Sequence, residues 1–358
     1  HGCTAESDPA ANLDRPQGSG AAAEQVVELG VAPPLRRVRE GLYEWWQMPI
    51  GAGGFVTGIV SGGEGVNPTI VSRTDVGGAY LWDHESGSWD QMLTRTSLGE
   101  AGLTAGDYSV AGVAIAPSDP SVLYLAVGND FNPAGTDDDP RGTGRVLRSG
   151  DGGASWTESS QRWFVSGNQR YRAGSDRLAI DPTNPDHVYF GTQREGLWMS
   201  TDAGVNWHQV PPSKVPTGVH GDAWDDQAGV GFVMSVTTAV DERAVVYAGV
   251  ANRGVFESRN DGDSWEPLVD LAIGVVPASA SSMGDALVFA ANSSDGQRAA
   301  IFAVLRDTSV REIATPVDSS TWHIAVDPFD DNRLVLANEA VRAGQFWSSV
   351  DGGSTWRT

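Results

Sequence analysis

An eight-residue pattern, Ser-x-Asp-x-Gly-x-x-Trp, constrains this chain more than any other feature. It stands at Ser149-Asp151-Gly153-Trp156, Ser200-Asp202-Gly204-Trp207 and Ser349-Asp351-Gly353-Trp356. Ser258-Asn260-Gly262-Trp265 is a copy with Asn for Asp, and the segment from Trp82 to Trp89 keeps only the length and the final Trp. A short carboxylate or amide accepts backbone N–H bonds across a tight turn, Gly admits positive φ, and Trp can bury its ring between neighbouring sheets. Such a turn, an Asp box of the BNR type, braces a hairpin. Asp151, Asp202, Asn260 and Asp351 are therefore read as structural rather than catalytic.

Upstream of the boxes a second frame recurs, an apolar strand ending in Pro: Ala114-Ile115-Ala116-Pro117, Ala179-Ile180-Asp181-Pro182 and Ala325-Val326-Asp327-Pro328. Each precedes another apolar run, such as Val122-Leu123-Tyr124-Leu125, Val188-Tyr189-Phe190 or Leu334-Val335-Leu336. Four short antiparallel strands per unit is one propeller blade, so the fold class is an all-β propeller. The closing Trp positions step by 67, 51 and 58 residues from Trp89 to Trp265, then by 91 to Trp356. The long last gap has room for a boxless fifth blade built on Ala286–Phe289 and Ile301–Val304, giving six visible blades. Tyr43–Met48 reads as a lone strand able to complete the last blade. The chain stops two residues past Trp356, where a blade strand has barely begun, so the sequence predicts one incomplete lobe. Residues 1–40 are read as a disordered tether and 41–358 as the lobe.

Composition narrows the partners. A net charge of −22 disfavours contact with nucleic acid or anionic membrane, whereas a neutral polysaccharide is compatible. No apolar run reaches the 18 residues of a membrane span. Cys3 is the only cysteine, which excludes an intrachain disulfide or a cysteine zinc cluster. Gly2-Cys3-Thr4 before a polar run resembles the start of a mature bacterial lipoprotein, the alternative being an incidental cysteine. The expected location is thus secreted or lipid-anchored at a bacterial cell surface. The histidines show no paired metal spacing, and Asp137-Asp138-Asp139 lacks a calcium-loop pattern, so neither metal nor cofactor is expected.

Candidate chemistry comes from comparing the blades with one another. Blade 1 aligns without gaps on blades 3 and 4, with Gly78, Gly196 and Gly254 as the turn glycine and Tyr80, Trp198 and Phe256 as the aromatic after it. Asp75 then stands opposite Gln193 and Ala251, so the blade turn does not require its carboxylate. It is either an ordinary Asp/Gly turn or a group released for chemistry. Three insertions, 128–144, 161–175 and 211–231, also interrupt the blades, and long loops on a rigid scaffold commonly bind ligands. They carry Trp163, Phe164, Tyr171, His220 and Trp224, rings able to stack on sugars, and the acceptors Asp130, Asp222, Asp225 and Asp226. Packing of these rings against the propeller is the competing reading.

Tyr43-Glu44-Trp45, Gly53-Gly54-Phe55-Val56-Thr57-Gly58-Ile59 and above all Ser72-Arg73-Thr74-Asp75-Val76-Gly77-Gly78-Ala79-Tyr80-Leu81-Trp82 resemble the amino-terminal lobe of glycoside hydrolase family 74, the xyloglucanases. The likeness runs through Arg177-Leu178-Ala179-Ile180-Asp181-Pro182 and covers residues 43–265 best. It implies two seven-bladed propellers facing across a cleft, and hydrolysis of a β-1,4-glucan such as xyloglucan with inversion. It also implies Asp75 as general base, with the general acid in a second lobe that this chain lacks. The stretch Ser175-Asp176-Arg177-Leu178 departs from the family's Gly-Glu-Arg-Leu by a shorter acid. The alternative is a non-catalytic secreted propeller that binds glycan or protein. A sialidase is disfavoured because its Arg-Ile-Pro start motif is absent.

Overall fold

The computed structural model describes the backbone of Val38–Glu40 and Tyr43–Trp45, then Ile50 and residues 54–358, except 64–66, 129–143, 169–171, 175, 219–228, 238–242, 284–285, 294–298, 306, 320, 328–329 and 339–344. It divides into two units, residues 1–48 and 49–358. In the first, Val38–Glu40 pairs antiparallel with Tyr43–Trp45. The strand expected at Tyr43 therefore forms, paired with its own chain neighbour. Val38–Glu40 falls within the expected tether and is a strand; Cys3 and the other residues of 1–37 lie outside the described residues.

The second unit is a β-propeller of six blades. Blade 1 comprises Val56–Gly62, Thr69–Thr74, Ala79–Asp83 and Ser88–Gln91; blade 2 comprises Val110–Ala116, Asp119–Val127, Arg145–Ser149 and Thr157–Glu158. Blade 3 comprises Leu178–Asp181, Asn184–Gly191, Leu197–Ser200 and His208–Gln209; blade 4 comprises Val230–Thr237, Ala244–Val250, Gly254–Ser258 and Glu266–Asp270. The boxless blade 5 comprises Val275–Met283, Ala286–Ser293, Ala300–Val304 and Val310–Ile313. Blade 6 has His323–Asp327, Asp330–Ala337 and Phe346–Ser349, followed by the bridge Ser348↔Arg357. Within every blade each strand pairs antiparallel with its chain neighbour.

The apolar core lies between blades rather than within them. Val71, Val113, Leu123 and Trp156 join blades 1 and 2; Tyr124, Val146, Phe190 and Trp207 join blades 2 and 3; Ala179, Tyr189, Val246 and Trp265 join blades 3 and 4. Each box Trp thus packs its own blade onto the preceding one. The repeated turns also carry the expected bonds. Gly153 N donates to Ser149 Oγ at 2.8 Å, Ser155 N to Asp151 Oδ1 at 2.9 Å, and Trp156 Nε1 to Gly153 O at 3.1 Å. The Asn copy keeps this set, with Ser264 N donating to Asn260 Oδ1 at 2.9 Å. In the last copy Trp356 Nε1 turns instead to Ala314 O at 2.7 Å. Side-chain hydroxyl and backbone donors hold the exposed Asp151 and Asp351 carboxyls down to about 2.

The first strands of blades 1, 2, 4 and 5 share a register shift near their start, at Val56/Gly58, Val110/Gly112, Val230/Phe232 and Pro277/Ser279. One extra residue bends a strand there, at the end of the blade where the 75–78 turn lies.

Candidate active site

The turn that carries Asp75 is built like its sibling in blade 3. Thr74 N and Oγ1 both donate to Gly78 O, at 3.0 and 2.9 Å, and Gly77 N donates to Thr74 Oγ1 at 2.8 Å. In blade 3, Thr192 N and Oγ1 donate to Gly196 O at 2.9 and 2.8 Å, and Glu195 N donates to Thr192 Oγ1 at 2.8 Å. The residue between Thr and Gly takes no part in either set through its side chain. Gln193, at that place in blade 3, exchanges bonds of 2.8 Å with the Ser166 backbone.

Asp75 is buried, and its two oxygens differ. Oδ1 accepts the Phe55 N–H at 2.7 Å, while the Asp75 N–H donates to Phe55 O at 3.1 Å. Oδ2 faces Arg172 Nε at 3.4 Å, and the Arg172 guanidinium lies 5.7 Å from the Phe55 ring centroid. Gly54, at φ +104°, makes this approach possible, since a Cβ there would sit 3.1 Å from Asp75 Oδ1 and Gly77 N. The carboxylate is thus fixed through one oxygen, while the other faces Arg172.

Arg73, two residues before Asp75, points away from it. It is 1% exposed, and its guanidinium donates to Asp176 Oδ1 (2.9 Å), Thr57 Oγ1 (2.8 Å), Arg172 O (2.8 Å) and Gly174 O (2.7 Å). Asp176 Oδ1 also accepts Val113 N at 2.7 Å. A Cβ on Gly58 would lie 2.6 Å from Arg73 Nε, so a glycine is needed where the guanidinium passes. This clamp ties blade 1 to residues 172–176 and thereby places Arg172 over Asp75. The shortened acid, Asp176, thus bridges Arg73 and the Val113 backbone. Neighbouring Arg177 is buried and donates to Val230 O; burial, then the Arg73 charge, lowers its pKa to about 9. Sequence reasoning missed Arg172, whose only signal was its place in the 161–175 insertion, and the role of Asp176, which it marked only as a shortened acid.

The expected sugar-stacking rings separate. Trp163 is not on the surface: it is 0% exposed, with ring centroids 5.2 Å from Phe190, 5.7 Å from Trp198 and 5.3 Å from Trp207. Its strong apolarity drives it into the junction of blades 2 and 3, which leaves no face for a sugar. Phe164 is buried with the Arg194 guanidinium 3.6 Å from its centroid. Tyr171, His220, Trp224, Asp130, Asp222, Asp225, Asp226 and Asp137–Asp139 lie outside the described residues.

A cavity of about 570 Å³ opens at the centre of the ring, lined by Thr57, Ile59, Gly174, Asp176, Phe232 and His323 among others. Asp75 is not in its wall; Phe55 and Ala173, on either side of the Arg172 contact, are. No helix among the described residues is long and apolar enough to cross a membrane.

No family model matches the chain. A xyloglucanase of Acetivibrio thermocellus is 33% identical over 263 residues, which cover 70% of this chain and 30% of that protein. A Paenibacillus xyloglucanase is 27% identical over 344 residues, covering 88% of this chain and 32% of its own length. Among solved structures, the GH74 xyloglucanase of Xanthomonas campestris superposes with a TM-score of 0.71 at 26% identity, covering 87% of this chain and 46% of that one. The chain therefore spans about a third of the length of the curated relatives it matches.

Proposed function

Because the chain is a xyloglucanase-like propeller lobe of glycoside hydrolase family 74, we propose that it serves inverting hydrolysis of a β-1,4-glucan such as xyloglucan, with Asp75 as general base. The observation that carries this reading is the asymmetric carboxylate. Oδ1 is held by Phe55 N while Oδ2 stays next to Arg172, in a turn whose own bonds are complete without it. Inversion requires an ionised carboxylate to take a proton from water on one face of the sugar and a protonated carboxyl to assist the leaving oxygen on the other. The two groups stand about 6.5–9.5 Å apart. On this reading the acid comes from a second propeller lobe facing this one. The repeated turns are Asp boxes that brace the scaffold, and the protein works outside the cell on a polysaccharide.

The test separates base from acid. A xyloglucan oligosaccharide with a dinitrophenolate leaving group needs no proton on departure, so this chain is expected to hydrolyse it while leaving xyloglucan itself uncut. Asp75→Asn is expected to abolish dinitrophenolate release with the circular dichroism unchanged. Release at the wild-type rate by that variant rules out Asp75 as base.

A further inference from the structure

The junction of blades 3 and 4 contains a second group of chemistry-bearing side chains, remote in sequence and unrelated to the Asp75 turn. Strand alternation puts His187 and Tyr189 on one face of Asn184–Gly191. Asp181 ends the neighbouring strand, at a register shift after Ile180. Asp261 arrives from the hairpin turn of blade 4, in the left-handed region at φ +57°. Ligand atoms of Asp181, His187 and Asp261 all lie within 4.8 Å of one another. Asp181 is buried, His187 half-buried and Asp261 exposed, so the group is anchored on one side and open on the other. Thr183 N and Oγ1 donate to Asp181 Oδ1 at 2.8 and 2.7 Å, which leaves Oδ2 for a further partner.

A separate observation points into the same place. Tyr189 is 1% exposed, and its hydroxyl has no hydrogen-bond partner among the described residues. Its ring edge packs against Gly262, next to Asp261, and the charged groups around it are Asp181, Asp261 and Asp263.

The junction of blades 2 and 3 supplies an internal control. Tyr124 holds the corresponding strand position, and its ring edge lies 3.1 Å from a Cβ built on Gly204, as that of Tyr189 lies 3.2 Å from one on Gly262. Tyr124, however, donates its hydroxyl to Pro185 O at 3.2 Å. The register of each blade places Ala116 where Asp181 stands, Val122 where His187 stands and Ala203 where Asp261 stands. Packing alone is therefore satisfied by two alanines and a valine. At the junction of blades 3 and 4 all three are side chains able to ligate a cation, around a tyrosine whose hydroxyl has no partner among the described residues.

We propose that Asp181, His187 and Asp261, with the Tyr189 hydroxyl beside them, form a binding site for a divalent metal ion of mixed nitrogen and oxygen preference, of which Zn²⁺ is the type. One imidazole and two carboxylates suit such an ion, with bonds of about 2.0–2.2 Å, and fall short of the six to eight oxygens that Ca²⁺ takes. The ion would neutralise two carboxylates held close together and clip blade 4 to blade 3. Motif scanning does not find it, because its ligands come from three separate segments.

Zinc titration of the full chain, read by calorimetry and by the thermal unfolding midpoint, tests the site. The key variant is Asp261→Gly, which installs the residue that Gly152 and Gly352 provide in sibling turns and relieves a positive φ, so it is expected to fold at least as well without metal. The wild type is expected to bind one more zinc equivalent than this variant and to gain midpoint on zinc addition, while the variant gains less. His187→Ala is expected to weaken that equivalent at least tenfold, and His84→Ala to leave it unchanged. Equal stoichiometry and equal midpoint response in wild type and Asp261→Gly would overturn the proposal. Tighter binding of Ca²⁺ than of Zn²⁺ would overturn the ion class.

Discussion

Replacing Arg73 by Met removes the clamp under the Asp75 site and leaves its acceptors behind. The Asp176 carboxylate, the Thr57 hydroxyl and the carbonyls of Arg172 and Gly174 lose a common donor, and the pair with Asp176 is 1% and 19% exposed on its two sides. Removing one partner of a largely buried, hydrogen-bonded ion pair costs about 3–5 kcal/mol, most of it from the stranded charge. Near the midpoint, about 2 °C is lost per kcal/mol in a large domain, so a fall of about 6–10 °C is expected. Arg73→Lys keeps the charge, but a single ammonium cannot span four acceptors in different directions, so about half the loss is expected. Differential scanning calorimetry of the three proteins measures this. Because Arg73 also holds the Arg172 carbonyl, dinitrophenolate release should drop in Arg73→Met at temperatures where the fold remains intact. A melting point within 1 °C of wild type, with unchanged release, refutes the reasoning.

Trp163→Ala should cost about 3–5 kcal/mol, because it empties a site enclosed by Phe190, Trp198 and Trp207; a loss below about 1 kcal/mol in urea unfolding would place the ring at the surface instead. Ala203 occupies the left-handed position that Gly152 fills in blade 2, at φ +59°. Ala203→Gly is therefore expected to stabilise the protein by about 0.5–1 kcal/mol, after the larger unfolded-state entropy of Gly is subtracted; destabilisation in the same assay contradicts this. The Asp151 and Asp351 carboxyls are lowered from 3.8 to about 2. A depressed carboxyl stabilises above its unfolded value and loses that contribution as pH falls through its folded value. The stability difference between wild type and Asp151→Asn should thus shrink between pH 4 and pH 2, and a difference constant across that range counts against the turn bonds.

The propeller was legible because its cues are local. A box fixes a hairpin through residues at most seven apart, and Ala286–Phe289 with Ile301–Val304 disclosed a boxless blade through apolar strand patterning alone. Asp75 stood out as a candidate because a repeat provides its own reference, in which Gln193 and Ala251 mark what the turn demands. What stayed hidden depends on contacts between segments far apart in the chain. Trp163 has the composition of a binding ring, yet its fate is set by Phe190 and Trp207. Arg73 sits two residues from Asp75 but spends its donors on residues 172–176, across about a hundred positions of sequence. The Asp181, His187 and Asp261 group was visible in principle as three simultaneous departures from a sibling junction. Only the ring brings them together.

The central claim is that Asp75 Oδ2 takes the proton from the attacking water, and chemical rescue tests it most directly. Asp75→Ala removes the base and leaves Phe55 N without its acceptor, at a cost of about 1–3 kcal/mol that the fold should survive. Turnover of the dinitrophenyl oligosaccharide should fall by about 10²–10⁴-fold. Azide, a small anion that attacks without needing a base, should then restore turnover and yield the α-glycosyl azide, identified by NMR. A folded Asp75→Ala variant that turns over at the wild-type rate, or whose loss azide does not relieve, contradicts the account.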